Sequence, residues 1–448
     1  MDFFRWKSPT VRLPSGPPVC PGHSSIMNFS NPYFTVLLIT FLLVQGIEML
    51  ATYLNLRALR PELPPEFADI YDAEKYQKSQ AYTRESSHFD MLSSTLRMLI
   101  FLGFWLGGGF GWFDTLVRGW GLSELQMGLA GISLLYLGNS LISLPFEIYD
   151  TFVIEQKHGF NKTTPATFVL DHLKGLLLGA VLGLPLLALV LWIFTFQNAW
   201  LYAWGATTAF TLVMAYVGPA IIMPMFNKFT PLEDGDLKSA VTSLAQRCGF
   251  PFKEVSIIDG SKRSSRSNAF FAGFGRNKRI ALFDTLVAQQ TVPELVAVLA
   301  HEIGHFKRRH IVQRLVLSLV QMGVWFFLLG IFLKNSGLFA AFGVAQPSVY
   351  LSLVFFLMLF QPVQFLLGIV LAWWSRKHEY EADAYASAAV GGPDAMISAL
   401  RKLARDNLSN LTPHALSVFL HYSHPPLRER LAALKVADYQ LQTPASIN

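Results

Sequence analysis

Apolar and polar positions fall in long blocks along this chain rather than in short alternation. Seven apolar blocks occupy residues 33–54, 91–113, 124–146, 168–196, 198–225, 312–333 and 348–374. As a helix, each is long enough to cross a hydrocarbon layer of roughly 30 Å. The weakest are the second, which holds Arg97, and the fourth, which starts beside His172 and Lys174. Gly103, Gly107 and Gly111 recur at four-residue spacing in the second block, the pattern of close helix packing in a membrane. A phosphate loop is excluded there, because no strand precedes Gly107-Gly108-Gly109 and no Lys-Ser/Thr follows.

The organisation predicted is a disordered Pro-, Gly- and Ser-rich tail over 1–32 and five membrane helices over 33–225. A polar segment over 226–311, two further helices over 312–374 and a polar C-terminal segment over 375–448 complete it. The two large polar segments flank the last helix pair and are expected to meet as one domain. The predicted fold class is thus an all-α multi-pass membrane protein with a polar domain outside the bilayer. That domain carries a small β-hairpin or sheet, with strands either side of the turn Gly275–Lys278.

Composition supports this picture. Of 448 residues, 52% are hydrophobic and 15% charged, whereas a soluble domain carries about 25% charged residues. Two cysteines, Cys20 and Cys248, exclude a disulfide framework and a Cys-based zinc site. The net charge of +6 raises nucleic acid as a partner, but its distribution argues against it. Segments 55–90, 147–167, 226–311 and 375–448 carry five, two, thirteen and eight of the 36 Lys and Arg. Seven spans place all four on one side, which the positive-inside rule makes the cytosol. The N-terminus is then outside and the C-terminus inside. The basic charge reads as a topology signal, with the lipid bilayer as partner and no nucleic acid.

The chemistry centres on His301-Glu302-Ile303-Gly304-His305. On a helix, His301 and His305 lie one turn apart on one face, so both imidazoles can reach one Zn²⁺. Glu302 lies beside them as a base for a metal-bound water. Thr291-Val292-Pro293-Glu294 supplies a helix start with a capping box. A third ligand is expected from Ser375–Asp383, where Glu379 and Asp383 stand four apart on one face. Glu379 can ligate zinc while Asp383 holds the outer nitrogen of a ligand His. Glu381 points elsewhere and His378 is merely adjacent, so neither is assigned.

Asn268, before one hairpin strand, is a candidate for binding substrate backbone on an edge strand. Lys262, Arg263 and Arg266 lie within six positions of Asn268, on the approach to that strand, and Arg suits an anionic group through paired hydrogen bonds. His424, before Pro425-Pro426, is a candidate for steadying an oxyanion.

These residues carry a family resemblance. The stretches Asp150–Asn161, Phe226–Leu232, Gly260–Ala269, the His-Glu-x-x-His helix, Ser375–Asp383 and His421–Leu431 resemble the type I CAAX prenyl endopeptidases, multi-pass zinc proteases of the ER membrane and their bacterial relatives. The resemblance covers about residues 50 to 435. It implies seven helices enclosing an intramembrane chamber, with the zinc site near the cytosolic end. It also implies removal of the last three residues from prenylated C-termini. Its ligands are His301, His305 and Glu379 for one Zn²⁺, with Glu302 as base, Asn268 and His424 at the substrate, and Asp383 behind the ligands. The short 334–347 loop and the ending Pro-Ala-Ser-Ile-Asn, without a dilysine signal, lean towards a bacterial member. The inner membrane is expected for a bacterial protein and the ER membrane for a eukaryotic one. The competing readings are a membrane quality-control protease without prenyl specificity and a seven-helix transporter with an incidental metal.

Overall fold

A computed structural model describes residues 30–69, 71–252, 254–272 and 279–442. The expected tail is thus outside the described residues up to residue 29, as is the expected turn Gly275–Lys278. Five helical spans come first: α1 (Pro32–Ala58), α2 (Ala73–Leu106), then, after the short α3 (Gly109–Arg118), α4 (Glu124–His158), α5 (Pro165–Ile193) and α6 (Ala199–Phe226). Their starts are set locally. Asn31 accepts from the Tyr33 N–H, Asp72 from that of Lys75, and Ser123 with Gln126 forms a capping box, each satisfying amides that a helix start leaves open.

A small polar domain follows. It contains β1 (Phe229–Pro231), α7 (Asp236–Arg247), β2 (Glu254–Ile258), β3 (Ala269–Ala272), β4 (Arg279–Phe283) and α8 (Val292–Lys307). The chain re-enters the apolar region as α9 (His310–Phe332) and caps the far end with α10 (Ser336–Ala341). It returns as α11 (Val349–Leu359) and α12 (Gln361–Val390). These last two bend by 52° at their junction; among the described residues, six helices are long and apolar enough to cross a membrane, and seven if this bent pair is one span. The helices α13 (Asp394–Asp406), α14 (Ala415–His421) and α15 (Leu427–Gln442) close the polar domain.

One feature departs from expectation. The second span was expected over 91–113, but α2 begins at Ala73 and stops at Leu106. Its first half is polar, so apolar content reveals only the second half. The helix stops because Gly108 takes φ +75°, a left-handed turn that suits glycine. A Cβ on Gly109 would come within 2.4 Å of the Phe104 ring, whereas one on Gly103 would meet nothing within 4 Å. The glycines therefore break a helix rather than seam two together. The small sheet expected in the polar domain has four strands in the order β1-β2-β4-β3. The hairpin β3–β4 is antiparallel, while β2 runs parallel to β4 and antiparallel to β1. Among the described residues, β3 is an edge strand paired with β4.

Two cores anchor the site from opposite ends. At the far end of the membrane, Trp105, Phe110, Phe339, Phe342 and Phe355 stack together, and the Trp105 Nε1–H donates to the Ala341 carbonyl. The 334–347 connection is thus a plug for the bundle. In the polar domain, Leu244, Leu282, Leu286, Leu299 and Ala386 seal the sheet against α8 and α12. Apolar side chains such as Leu141 (69% exposed), Leu366 (62%) and Leu177 (60%) face outward along the spans, as a lipid solvent requires.

Candidate metal centre and substrate cavity

The site is built where α8 crosses α12. Thr291 and Glu294 close a capping box at the start of α8, with the Thr291 N–H donating to Glu294 at 2.7 Å. Gly304 allows the two helices to approach: a Cβ there would meet the Ala382 Cα at 3.1 Å and carbonyl oxygen at 3.2 Å. This approach brings His301 and His305 of α8 to Glu379 of α12.

The three side chains bring candidate donor atoms within 4.8 Å of one another. His301 Nε2 and His305 Nε2 are 3.1 Å apart, Glu379 Oε2 lies 3.4 Å from the first, and Glu379 Oε1 lies 3.3 Å from the second. A tetrahedral ion with ligands at about 2.0–2.1 Å needs edges of about 3.3–3.4 Å. Two imidazole nitrogens facing each other with lone pairs repel unless a cation lies between them. Glu379 is buried, and its Oε2 has no hydrogen-bond partner. The donor set therefore fits a metal ion.

The surroundings reinforce that fit. His301 turns its other nitrogen to Asp383 at 2.8 Å, which fixes the tautomer that leaves Nε2 free for an ion. Asp383 is in turn gripped by Arg430 of α15 through two hydrogen bonds of 2.6 and 2.8 Å. Burial alone would lower the His301 pKa. The bonds to Asp383 and Glu379 outweigh it and raise the value to about 9. The cage thus favours positive charge at this imidazole, whether brought by a proton or a metal ion.

Glu302 faces the cavity beside them. Burial pushes its pKa up and the Glu379 charge adds to this, against the pull of His301 and His305. A raised carboxyl is a better proton acceptor in catalysis than an ordinary one. His424 lies 3.5 Å from Glu379. Its Nδ1 is 3.0 Å from the Ser423 hydroxyl, so a hydroxyl donating there leaves the ring's Nε2–H free to face the cavity. The side chain is 63% exposed, and desolvation by the surrounding protein lowers its pKa from the ordinary imidazole value.

A cavity of about 860 Å³ joins these groups, lined by His301, Glu302, Glu379, His424, Arg430 and Asn268 among others. Asn268 accepts the Ala269 N–H with its Oδ1, which leaves its amide hydrogens for other partners. It stands at the head of edge strand β3. Of the three nearby cations, Arg263 is bound in a two-point pair to Asp171. Arg266 lines the cavity while pairing with Glu155 at 2.8 Å and lying over the Phe160 ring. Lys262 is not among the lining residues.

Local spacing in the sequence does not point to Arg430, which stands against Asp383. The signal available was its place in the His421–Leu431 stretch, one turn into a helix started by two prolines. Nor does local spacing point to His310, which packs beside His305.

Both halves of the chain match known families. Residues 52–228 match the CAAX prenyl protease N-terminal model, described as five membrane helices, and residues 231–438 match peptidase family M48. A CAAX prenyl protease 1 homolog from rice (Oryza sativa subsp. japonica) is 37% identical over 426 residues, covering 91% of this chain and 98% of that protein. The human homolog is 35% identical over 428 residues, covering 83% and 88%, and CAAX prenyl protease 1 of Saccharomyces cerevisiae is 35% identical over 441 residues, covering 92% and 97%. The crystal structure of S. mikatae Ste24p superposes with a TM-score of 0.83 at 35% identity, covering 90% of this chain and 99% of that one. With matches of this extent over the membrane helices and the polar domain alike, the chain belongs to the CAAX prenyl protease 1 family, the multi-pass membrane metallopeptidases of M48.

Proposed function

We propose that this protein is a zinc endopeptidase that removes the last three residues of prenylated CAAX-type C-termini, with its site on the cytosolic side of the membrane. The observation that carries this reading is the cluster of His301, His305 and Glu379, whose donor atoms lie within 4.8 Å of one another beside a cavity lined by His301, Glu379 and Glu302. Zinc bound there supplies a Lewis acid and acidifies a water molecule. Glu302 accepts the proton of the attacking water and returns it to the leaving amine. The amide of Asn268 holds the backbone of a peptide laid along edge strand β3, in the manner of strand addition. His424, whose Nε2 is turned to the Glu379 side of the site, donates to the oxygen that gains charge. Asp383 fixes His301, and Arg430 neutralises Asp383. Arg266 is the cavity-lining cation closest in kind to what a terminal carboxylate requires.

The cytosolic placement follows from the Lys and Arg of segments 55–90, 147–167, 226–311 and 375–448, which share one side of the seven spans. A reporter active only in the cytosol, fused after Asn448, should be active. The substrate test compares a farnesylated peptide with the same sequence unprenylated, each as free acid and as C-terminal amide, on purified protein. Release of a tripeptide from the farnesylated acid alone supports the full reading. Equal cleavage with and without the lipid leaves a general membrane protease. A larger loss on the free acid than on the amide in Arg266→Ala assigns carboxylate recognition to that residue, whereas equal losses remove it from the assignment.

A further inference from the structure

The two metal-facing histidines are supported differently. His301 is held by a carboxylate directly, through Asp383. His305 instead meets a second histidine. Arg309 takes φ +59° and turns the chain sharply between α8 and α9, bringing His310 back beside the end of α8. His310 is 1% exposed, and its Nδ1 lies 3.0 Å from His305 Nδ1. Its Nε2 lies 3.1 Å from Glu381 Oε2. The His310 ring stacks on His378 with centroids 3.8 Å apart and planes 6° from parallel, and His378 also packs on Trp374.

Proton counting leaves one neutral arrangement. If His305 Nε2 faces the ion, the His305 proton is on Nδ1 and donates to His310 Nδ1. His310 must then carry its proton on Nε2, where Glu381 accepts it. We propose that His310 and Glu381 are positioning residues for the metal centre, a two-step relay that fixes the tautomer and ring orientation of His305. The stack on His378 holds the relaying ring in its plane. The relay places a carboxylate behind His305, as Asp383 stands behind His301, at one residue's greater remove. Groups in this position affect metal affinity by about 10–100-fold.

The inference rests on the metal reading of the site, so the test measures zinc affinity first on the native protein by chelator competition. If the native chain takes up no zinc and His301→Ala behaves the same, the metal reading itself fails. Given native uptake, His310→Phe keeps a stacking ring but neither nitrogen, and is expected to weaken zinc about 10–100-fold. His310→Asn offers an acceptor near the Nδ1 position without the stack, and should recover part of that loss. Glu381→Leu, at a side chain 37% exposed and so tolerant of change, should weaken zinc in the same direction, while Glu381→Gln, which can still accept from His310, recovers most of it. Absorption bands of the cobalt-loaded protein should shift in His310→Phe and Glu381→Leu. Zinc affinity within about twofold of native in Glu381→Leu overturns the relay even if His310→Phe fails to fold, and where that variant folds, equal losses in His310→Phe and His310→Asn overturn it too.

Discussion

Replacing Gly304 with Ala sets two effects of known size against each other. In an ordinary helix interior, Gly→Ala gains about 0.8–1 kcal/mol through backbone entropy. Here the new methyl would lie 3.1 Å from Ala382 Cα, 3.2 Å from its carbonyl oxygen and 3.2 Å from Tyr385 Cβ. Comfortable carbon–carbon contact needs about 3.5–4.0 Å. All three atoms belong to or hang directly from the α12 backbone, so no rotamer change relieves the clash. Overpacking of this kind costs typically 1–3 kcal/mol, which exceeds the entropic gain. Relief requires α8 and α12 to separate by a few tenths of an ångström. Because His301 and His305 sit on one helix and Glu379 on the other, that separation opens the ligand cluster. Metal sites tolerate deviations of about 0.2 Å. The expected result is a lower thermal midpoint for metal-free protein in detergent and weaker zinc binding by chelator competition. Gly205→Ala serves as control, since a Cβ there meets nothing within 4 Å, and should be neutral or stabilising. If Gly304→Ala raises the midpoint like the control and leaves zinc affinity unchanged, the argument from close approach is wrong.

Glu302→Gln, nearly the same shape but unable to act as base, should retain zinc while losing at least about 10²-fold in turnover; measurable hydrolysis at native rate with zinc bound would end the proposed mechanism. Arg430→Met should destabilise the fold by about 3–5 kcal/mol, because it strands a buried Asp383 carboxylate. Adding Asp383→Asn should recover part of this in denaturant titration, and simple additivity of the two losses would refute the pairing. Glu294 gives a pH dependence. Burial would raise its pKa, but Lys402, Ser398 and Thr291 hold it down at about 2. A carboxyl depressed in the folded state contributes stability above its unfolded pKa and loses it as pH falls towards the folded value. Metal-free wild type should therefore lose stability between about pH 4.5 and 2 more steeply than metal-free Glu294→Gln, and parallel acid limbs would show that Glu294 is not responsible.

What was legible in the sequence was whatever depends on local spacing. His301, Glu302 and His305 are fixed by one helical turn, and Glu379 and Asp383 by another. The blocks of apolar residues similarly mark the seven spans, because a lipid surround leaves little choice but helix. The polar half of α2 was missed since hydropathy registers only the part within the bilayer. Strands β1 and β2 were missed because three and five residues carry too little pattern to distinguish from loop. Arg430 and His310 share a different obstacle. Each reaches the site through a change of direction, at Pro425-Pro426 for one and at Arg309 for the other, and such returns are set by tertiary packing.

The placement of Glu379 on α12 has a consequence for how the molecule is made. His305 precedes Glu379 by 74 positions, and α9, α10 and α11 lie between them. At synthesis rates of about 5–20 residues per second, the third ligand leaves the ribosome roughly 4–15 s after the second. It reaches the other two only when the chain has entered the bilayer, turned over α10 and come back. A nascent chain stalled before that return owns two imidazoles and no third ligand. On the proposed ligand set, metal capture would mark chains whose last hairpin is inserted, and hydrolysis would be withheld from chains still short of it. Ribosome-arrested chains ending before Glu379 should accordingly retain no zinc through gel filtration, whereas chains extended beyond Arg430 should, and equal retention in both would break the link.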